Sequence, residues 1–254
     1  MNTDTAWEAW GKQDPYFGVI TDPRYRSGNL DEATKQEFFR SGDNHIEYVK
    51  LAVRAHLGVE FSAKRILDFG CGVGRLVIPF ASGAVHVVGV DVSPAMLEEA
   101  QKNCDARCLT NATFVLGDDE LSQVPGTFDM IHSALVFQHI PVARGREIFK
   151  RLLTKLDPGG IGMIDFTFGK NELADTFGVP PAPNLTSYLG DTLKGISSLA
   201  RGADAKDDPE MLMHPYNLSE IFFILQEAGI TNVHAQFLDH GGEHAAFLIF
   251  RKPA

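Results

Sequence analysis

Two rhythms of apolar and polar positions alternate along this chain of 254 residues. Short apolar runs of strand character lie at Arg65–Cys71, Val85–Asp91, Ala112–Gly117, Phe128–Leu135 and Ile161–Phe166. Segments with helical spacing separate them. One begins at Val73 and contains Pro79, which cannot donate to the carbonyl of Arg75, so that helix is either kinked or starts later than its pattern suggests. A second starts at Ser93-Pro94, a capping hydroxyl followed by proline, with Met96, Leu97 and Ala100 on its apolar face. A third, Arg144 to Leu156, places Ile148, Leu152 and Leu156 four apart, before a stop at Asp157-Pro-Gly-Gly160. Upstream, Asp31 to Arg40 and Asn44 to His56 read as two helices, preceded by the aromatics Trp7, Trp10, Tyr16, Phe17 and Tyr25 and by turns at Asp14-Pro15 and Asp22-Pro23. Downstream, Asn217-Leu-Ser-Glu220 opens a helix that ends at Gly229. Thr231–Leu238 and Ala245–Arg251 flank Gly241-Gly242 as a hairpin, which makes the last strand antiparallel.

Residues 167–213 break this alternation. Pro180-Pro-Ala-Pro183 is a stiff extended element, and Ser187 to Leu199 reads as a helix weakened by Gly190 and Gly195. A long connection inside a compact domain is usually functional or disordered, and the apolar stripe of Leu185, Leu189, Leu193 and Ile196 favours a lid. The expected organisation is a single domain: an N-terminal helical cover over residues 1–64, and a core over residues 65–254 with 167–213 inserted as the lid.

The chemistry concentrates where the first strand ends. Ile66 to Phe69 runs into Gly70, Gly72 and Gly74, glycines at alternate positions between a strand and a helix. Such a turn tolerates positive φ and brings backbone N–H groups close to a ligand. Seventeen residues after Gly74, the second strand ends in Asp91, an acid placed to accept ribose hydroxyls. A dinucleotide turn would read G-x-G-x-x-G, and Arg75 stands where its third glycine would fall.

The run Asp-Phe-Gly-Cys-Gly-Val-Gly, residues 68–74, resembles motif I of class I S-adenosylmethionine-dependent methyltransferases. The resemblance covers roughly Lys64 to Phe166 by motif and Asn217 to Lys252 by topology. It implies an α/β fold: a Rossmann-like, seven-stranded mixed sheet with the last strand antiparallel and helices on both faces. It also implies S-adenosylmethionine as cofactor and S-adenosylhomocysteine as product. In that family Asp68 would hold the turn and the methionine end, and Gly70, Cys71, Gly72 and Gly74 would form the cradle. Asp91, Val92 and Met96 would surround the ribose, and Asp118 or its neighbour Asp119 would accept from the adenine amino group. Ser133-Ala134 would offer a carbonyl to the methionine ammonium, and Arg40 or Arg75 would meet the carboxylate.

For a hydroxyl acceptor the reaction benefits from a base with a pKa near 7. His139, just beyond the fourth strand, is the first candidate, and His240 at the end of the sixth strand is the second. His45, His214 and Tyr216 are weaker candidates. His240 and His244 are four apart but span a glycine hairpin of unspecified geometry, so no metal is expected. After the fourth strand the chain reads Ser-Ala-Leu-Val-Phe-Gln-His, not the Asn/Asp-Pro-Pro-Tyr/Phe of base- and glutamine-N-methylating enzymes.

Composition narrows the partners. A net charge of −10 disfavours nucleic acid, which calls for a concentrated basic surface. No apolar run is long enough to span a bilayer, the acidic N-terminus lacks a signal-peptide core, and Cys71, Cys104 and Cys108 match no disulfide or zinc spacing. The expectation is a cytoplasmic enzyme that methylates a small molecule or sugar, most simply at a hydroxyl oxygen. N-methylation, a nicotinamide enzyme on the same core, and a catalytically silent S-adenosylmethionine-binding protein remain open at this point.

Overall fold

The computed structural model describes residues 3–170, 208–240 and 242–254. Seven strands form one sheet in the order β3-β2-β1-β4-β5-β7-β6. They are β1 Arg65–Phe69, β2 His86–Asp91, β3 Ala112–Leu116, β4 Phe128–Ser133, β5 Leu156–Lys170, β6 Val233–Asp239 and β7 Glu243–Arg251. The strands from β3 across to β5 pair in parallel, and β7 runs antiparallel to both of its neighbours. This is the expected Rossmann-like mixed sheet, and β6 ends on the same side as β1 to β5.

Adjacent strand residues feed opposite layers, as a two-residue period demands. Ile66, Val87, Met130, Met163 and Ile249 join a core under the N-terminal helices. Leu67, Val88, Ile131, Ile164 and Leu248 join a second core under α6 (Val142–Lys155) and α7 (Leu218–Glu227). Order reverses between β2-β1 and β4, so the C-terminal ends of β1 and β4 flank the switch point where such sheets bind ligands.

Two elements depart from the sequence expectation, and a third settles which of two expected forms it takes. The two upstream helices are one, α3 Glu32–Leu57, capped by the Asp31 carboxylate on the Thr34 amide and closed by Gly58 in the left-handed region. Gly42 lies inside it because a Cβ there would sit 2.3 Å from the Arg75 carbonyl, so the glycine permits close packing on the cradle. The helix after the glycine turn starts late: α4 is only Val77–Ala81, with Pro79 in its first turn, where a missing N–H costs little. Strand β5 continues to Lys170 because β7 offers it a partner as far as Glu243. Residues 167–170, expected in the lid, are therefore strand, and the proline element and lid helix lie outside the described residues.

Two helices that apolar spacing did not reveal precede α3: α1 Thr3–Gln13 and α2 Pro15–Val19. Helix α1 lies on α5 (Pro94–Asp105). The Glu8 carboxylate accepts from the Ser93 hydroxyl at 2.7 Å and the Ala95 amide at 3.1 Å, beside the positive end of α5. Among the described residues no helix is long and apolar enough to cross a membrane.

Candidate active site

A cavity opens above the C-terminal ends of β1, β2 and β4, with α1 on its far wall. Its lining includes Asp68, Gly70, Cys71, Gly72, Arg75, Asp91, Val92, Met96, Asp118, Asp119 and His139, together with Thr3, Asp4 and Trp7 from α1. The glycines shape it by necessity. Gly70 has φ +76°, and a Cβ there would strike Val136 at 2.3 Å; Gly72 has φ +50°, and a Cβ would strike Val19 at 2.5 Å. Gly74, φ +83°, turns the chain against Ala100 without lining the cavity.

Asp91 is held at the tip of β2 by the amides of Gly72 and Ser93, each at 2.9 Å from one carboxylate oxygen. Burial pushes its pKa up to about 6 against these amides, which favour the ionised form. Each oxygen keeps a lone pair for a hydroxyl donor. The Cys71 thiol is buried and pushed well above its ordinary pKa by burial, so it remains a neutral packing group.

The two acids after β3 divide their work. Asp118 accepts from the amide and hydroxyl of Ser122. Asp119 accepts from Arg144 Nε at 2.7 Å, and the same guanidinium grips both oxygens of Asp4 at 2.6 and 2.9 Å. Arg144 thus ties α1 to the rim. No local pattern marks this clamp, because Asp4 and Arg144 are 140 residues apart.

Two expected residues, Arg40 and Ser133, lie off the cavity, whereas Arg75 and Ala134, named beside them, line it. Arg40 is exposed and pairs with Glu37 at 3.8 Å, one turn away on α3; it does not line the cavity. Arg75 does, and it is buried; Nη1 donates to Ser41 Oγ at 3.4 Å, Nε is unpartnered among the described residues, and the Asp68 carboxylate is close enough to act on its charge. Ser133 does not face the cavity but ties β4 to β1 through the Phe69 carbonyl at 2.9 Å. Its neighbours Ala134 and Leu135 line the wall, Leu135 at φ 63°, a strained conformation for a leucine.

His139 reaches the cavity but is fully engaged. Its Nδ1 lies 2.9 Å from the Leu212 carbonyl and must donate to it; Nε2 then accepts from the Gln138 amide at 3.0 Å. Gln138 is itself fixed, its oxygen accepting from Thr167 at 2.9 Å. Burial pushes the His139 pKa down to about 4, and Trp7 packs edge-on against the ring at 4.9 Å. With both nitrogens bound, this geometry argues against the expected base role. Tyr216 is structural too, donating to the Ile140 carbonyl at 2.8 Å.

His240 is placed differently. Its Nε2 lies 3.2 Å from Asp165 Oδ2, and this contact raises its pKa above the ordinary value. The pair lines a second cavity with His45, Tyr48, Arg75, Gln236 and Phe247, and Arg75, Ala134 and Leu135 border both cavities. Asp165 is near the middle of β5 in sequence and carried no motif; only its pairing with the hairpin histidine marks it.

The comparisons with known proteins agree with this architecture. Residues 66–160 match the methyltransferase domain family. Over 102 residues the chain is 36% identical to the mitochondrial ubiquinone biosynthesis O-methyltransferase of Schizosaccharomyces pombe, a match covering 39% of this chain and 36% of that protein. Over 50 residues it is 44% identical to the 23S rRNA (uracil(1939)-C(5))-methyltransferase RlmD of Klebsiella pneumoniae, covering 20% of this chain and 12% of that one. The chain thus spans about a third or less of the length of these curated relatives. Because one of them is named for ribosomal RNA, the relatives do not support the expectation that excludes nucleic acid. The solved magnesium protoporphyrin IX methyltransferase of Synechocystis PCC 6803 with bound SAH superimposes over 99% of this chain and 100% of that one, at TM-score 0.62 and 19% identity. Residues 66–160 therefore match a methyltransferase domain, in a chain whose fold is that of solved S-adenosylmethionine-dependent methyltransferases.

Proposed function

We propose that this protein transfers the methyl group of S-adenosylmethionine to a hydroxyl oxygen of a small molecule. The observation that carries the cofactor reading is the first cavity itself. It joins a glycine cradle that a Cβ would fill, a buried carboxylate anchored by two amides, and a buried guanidinium with an unpartnered Nε. Those features fit the three polar parts of the cofactor. Asp91 accepts from the ribose hydroxyls, Asp118 from the adenine amino group, and Arg75 meets the methionine carboxylate in place of Arg40. When bound, S-adenosylmethionine supplies a methyl group activated on a sulfonium. The chain's residues then have to align an acceptor and remove its proton.

The proton falls to the Asp165–His240 pair. A buried carboxylate beside the imidazole stabilises the imidazolium that forms when the hydroxyl proton leaves, which suits His240 to act near pH 7. His139 instead closes the cavity wall. The net charge of −10 favours a small acceptor over a polyanion.

The test is turnover with labelled methyl donor and a panel of hydroxylated small molecules. His240→Ala should keep cofactor affinity within about threefold and lower kcat by a factor on the order of 10²–10⁴. His139→Gln should lower it less than about tenfold. The reverse ranking would return the base role to His139. Cofactor binding without turnover on any acceptor would instead favour a silent binding protein.

A further inference from the structure

Two buried residues, Asp68 and His132, and the half-buried His45, none used above for catalysis, form a line from the cofactor turn into the second cavity. Asp68 Oδ1 lies 3.0 Å from His132 Nδ1, and His132 Nε2 lies 2.9 Å from His45 Nε2. Asp68 is in the glycine cradle at the end of β1, His132 is the penultimate residue of β4, and His45 is on α3. His132 is fully buried, with the Phe80 and Phe247 rings at 5.4 and 5.9 Å. A carboxylate can only accept, so a neutral His132 carries its proton at Nδ1 and leaves Nε2 bare. Two nitrogens 2.9 Å apart need one proton between them, so His45 carries its own at Nε2. The remaining nitrogen, His45 Nδ1, is bare and has no protein partner among the described residues.

The second cavity therefore presents two separate hydrogen-bond acceptors. One is His45. The other is Asp165, whose Oδ1 is buried without a partner while Oδ2 faces His240. A buried acceptor left unpaired is costly, so Asp165 Oδ1 calls for a donor from a ligand, and the half-buried His45 offers a second acceptor facing the same cavity. Around them the wall is apolar and ringed: His45, Tyr48 and Phe247 stand with ring centroids 5.9 to 6.1 Å apart, and Leu135 and Leu238 complete it. The Tyr48 hydroxyl donates its one proton to Gln236 Oε1 at 2.6 Å, so it cannot donate to a ligand.

We propose that the second cavity is the acceptor subsite, that it takes a flat aromatic molecule bearing two hydroxyl groups, and that the Asp68–His132 pair fixes His45 as the acceptor for one of them. The hydroxyl that is methylated sits on the Asp165–His240 pair, and the other donates to His45 Nδ1. His132 and Asp68 are positioning residues; they touch His45, not the acceptor. The proposal rests on the methyltransferase reading for the identity of the reaction, and on the geometry alone for the ligand class. The groups that face His45 are His132 from β4, Arg75 from the turn before α4, and Asp165 and His240 across the cavity.

Nitrogen-15 histidine spectra of the wild-type protein, loaded with S-adenosylhomocysteine, read the tautomers directly. His132 should show a protonated Nδ1 and His45 a bare Nδ1 with a protonated Nε2. Titration with phenol and with the three dihydroxybenzenes should show at least one dihydroxybenzene binding about tenfold or more tightly than phenol and shifting His45 Nδ1. In His45→Phe that preference should disappear. A proton on His45 Nδ1, or equal binding of phenol and all three dihydroxybenzenes, overturns the proposal even if the variant does not fold. Calorimetry of S-adenosylhomocysteine on the same samples keeps the two readings apart. Its failure to bind removes the cofactor reading, whereas the tautomer and the hydroxyl preference decide the subsite.

Discussion

Replacing His139 by glutamine separates a wall residue from a catalytic base without an activity assay. The folded chain holds this imidazole neutral, with a pKa near 4, because it is buried and donates Nδ1–H to the Leu212 carbonyl. In the unfolded chain a histidine titrates near 6.5, so as pH falls the unfolded state takes up the proton first. The stability tied to the neutral ring is therefore complete above pH 6.5 and is lost as pH falls towards 4. Between pH 7 and pH 5 this single group should remove about 2 kcal/mol from the stability of the wild type. Glutamine can still donate to Leu212 but does not titrate. Urea unfolding at both pH values should show the variant less stable at pH 7, with the gap to wild type narrowing by about 2 kcal/mol at pH 5. Asp91 titrates in the opposite sense, its raised pKa favouring the folded state as pH falls, but it is present in both proteins and cancels in the gap. A gap that stays constant would mean an imidazole titrating near its ordinary value, and the reasoning that strips His139 of the base role would be wrong.

Other outcomes follow from the cavity. Asp91→Ala should weaken S-adenosylmethionine binding by roughly 1.5–3 kcal/mol in calorimetry, since a charged acceptor for the ribose is lost; unchanged affinity would take Asp91 out of the site. Arg75→Leu should weaken binding by about tenfold or more while Arg40→Ala leaves it within about twofold, a contrast that equal losses would refute. Arg144→Ala releases Asp4 and Asp119, and should speed cofactor dissociation in stopped-flow fluorescence several-fold through loosening of α1, with Trp7 as reporter; an unchanged off-rate would mean that α1 stays docked through Glu8 alone.

What the sequence made legible was what local chemistry fixes. Glycines at 70, 72 and 74 and the acid at 91 are spaced by the strand and helix lengths of one βαβ unit, so the cradle could be placed without coordinates. The same holds for the hairpin around residues 239–243, whose short link forces β7 antiparallel. Pairings between distant segments were not legible. Arg75 and Arg40 look alike as arginines, and only the approach of Gly42 to the Arg75 backbone reveals which one is buried. Asp31–His56 read as two helices because Gly42 weakens the helical pattern, whereas its real task is to let α3 pass close to the turn. His139 drew attention by following β4, but hydrogen bonds from Gln138 and to Leu212, one of them 73 residues away, consume both its nitrogens. His132 was hidden inside an apolar strand, where nothing but its contact with Asp68 distinguishes it from a packing residue.

The cavity between the glycine turn and α1 is the proposed seat of S-adenosylmethionine. Calorimetry of the purified chain with S-adenosylmethionine, S-adenosylhomocysteine and NAD tests it most directly. Both S-adenosyl compounds should bind at one site per chain, with NAD at least about a hundredfold weaker, because Arg75 stands where a dinucleotide turn needs its third glycine. Binding of NAD more tightly than S-adenosylmethionine, or no binding of either S-adenosyl compound to folded protein, would contradict it.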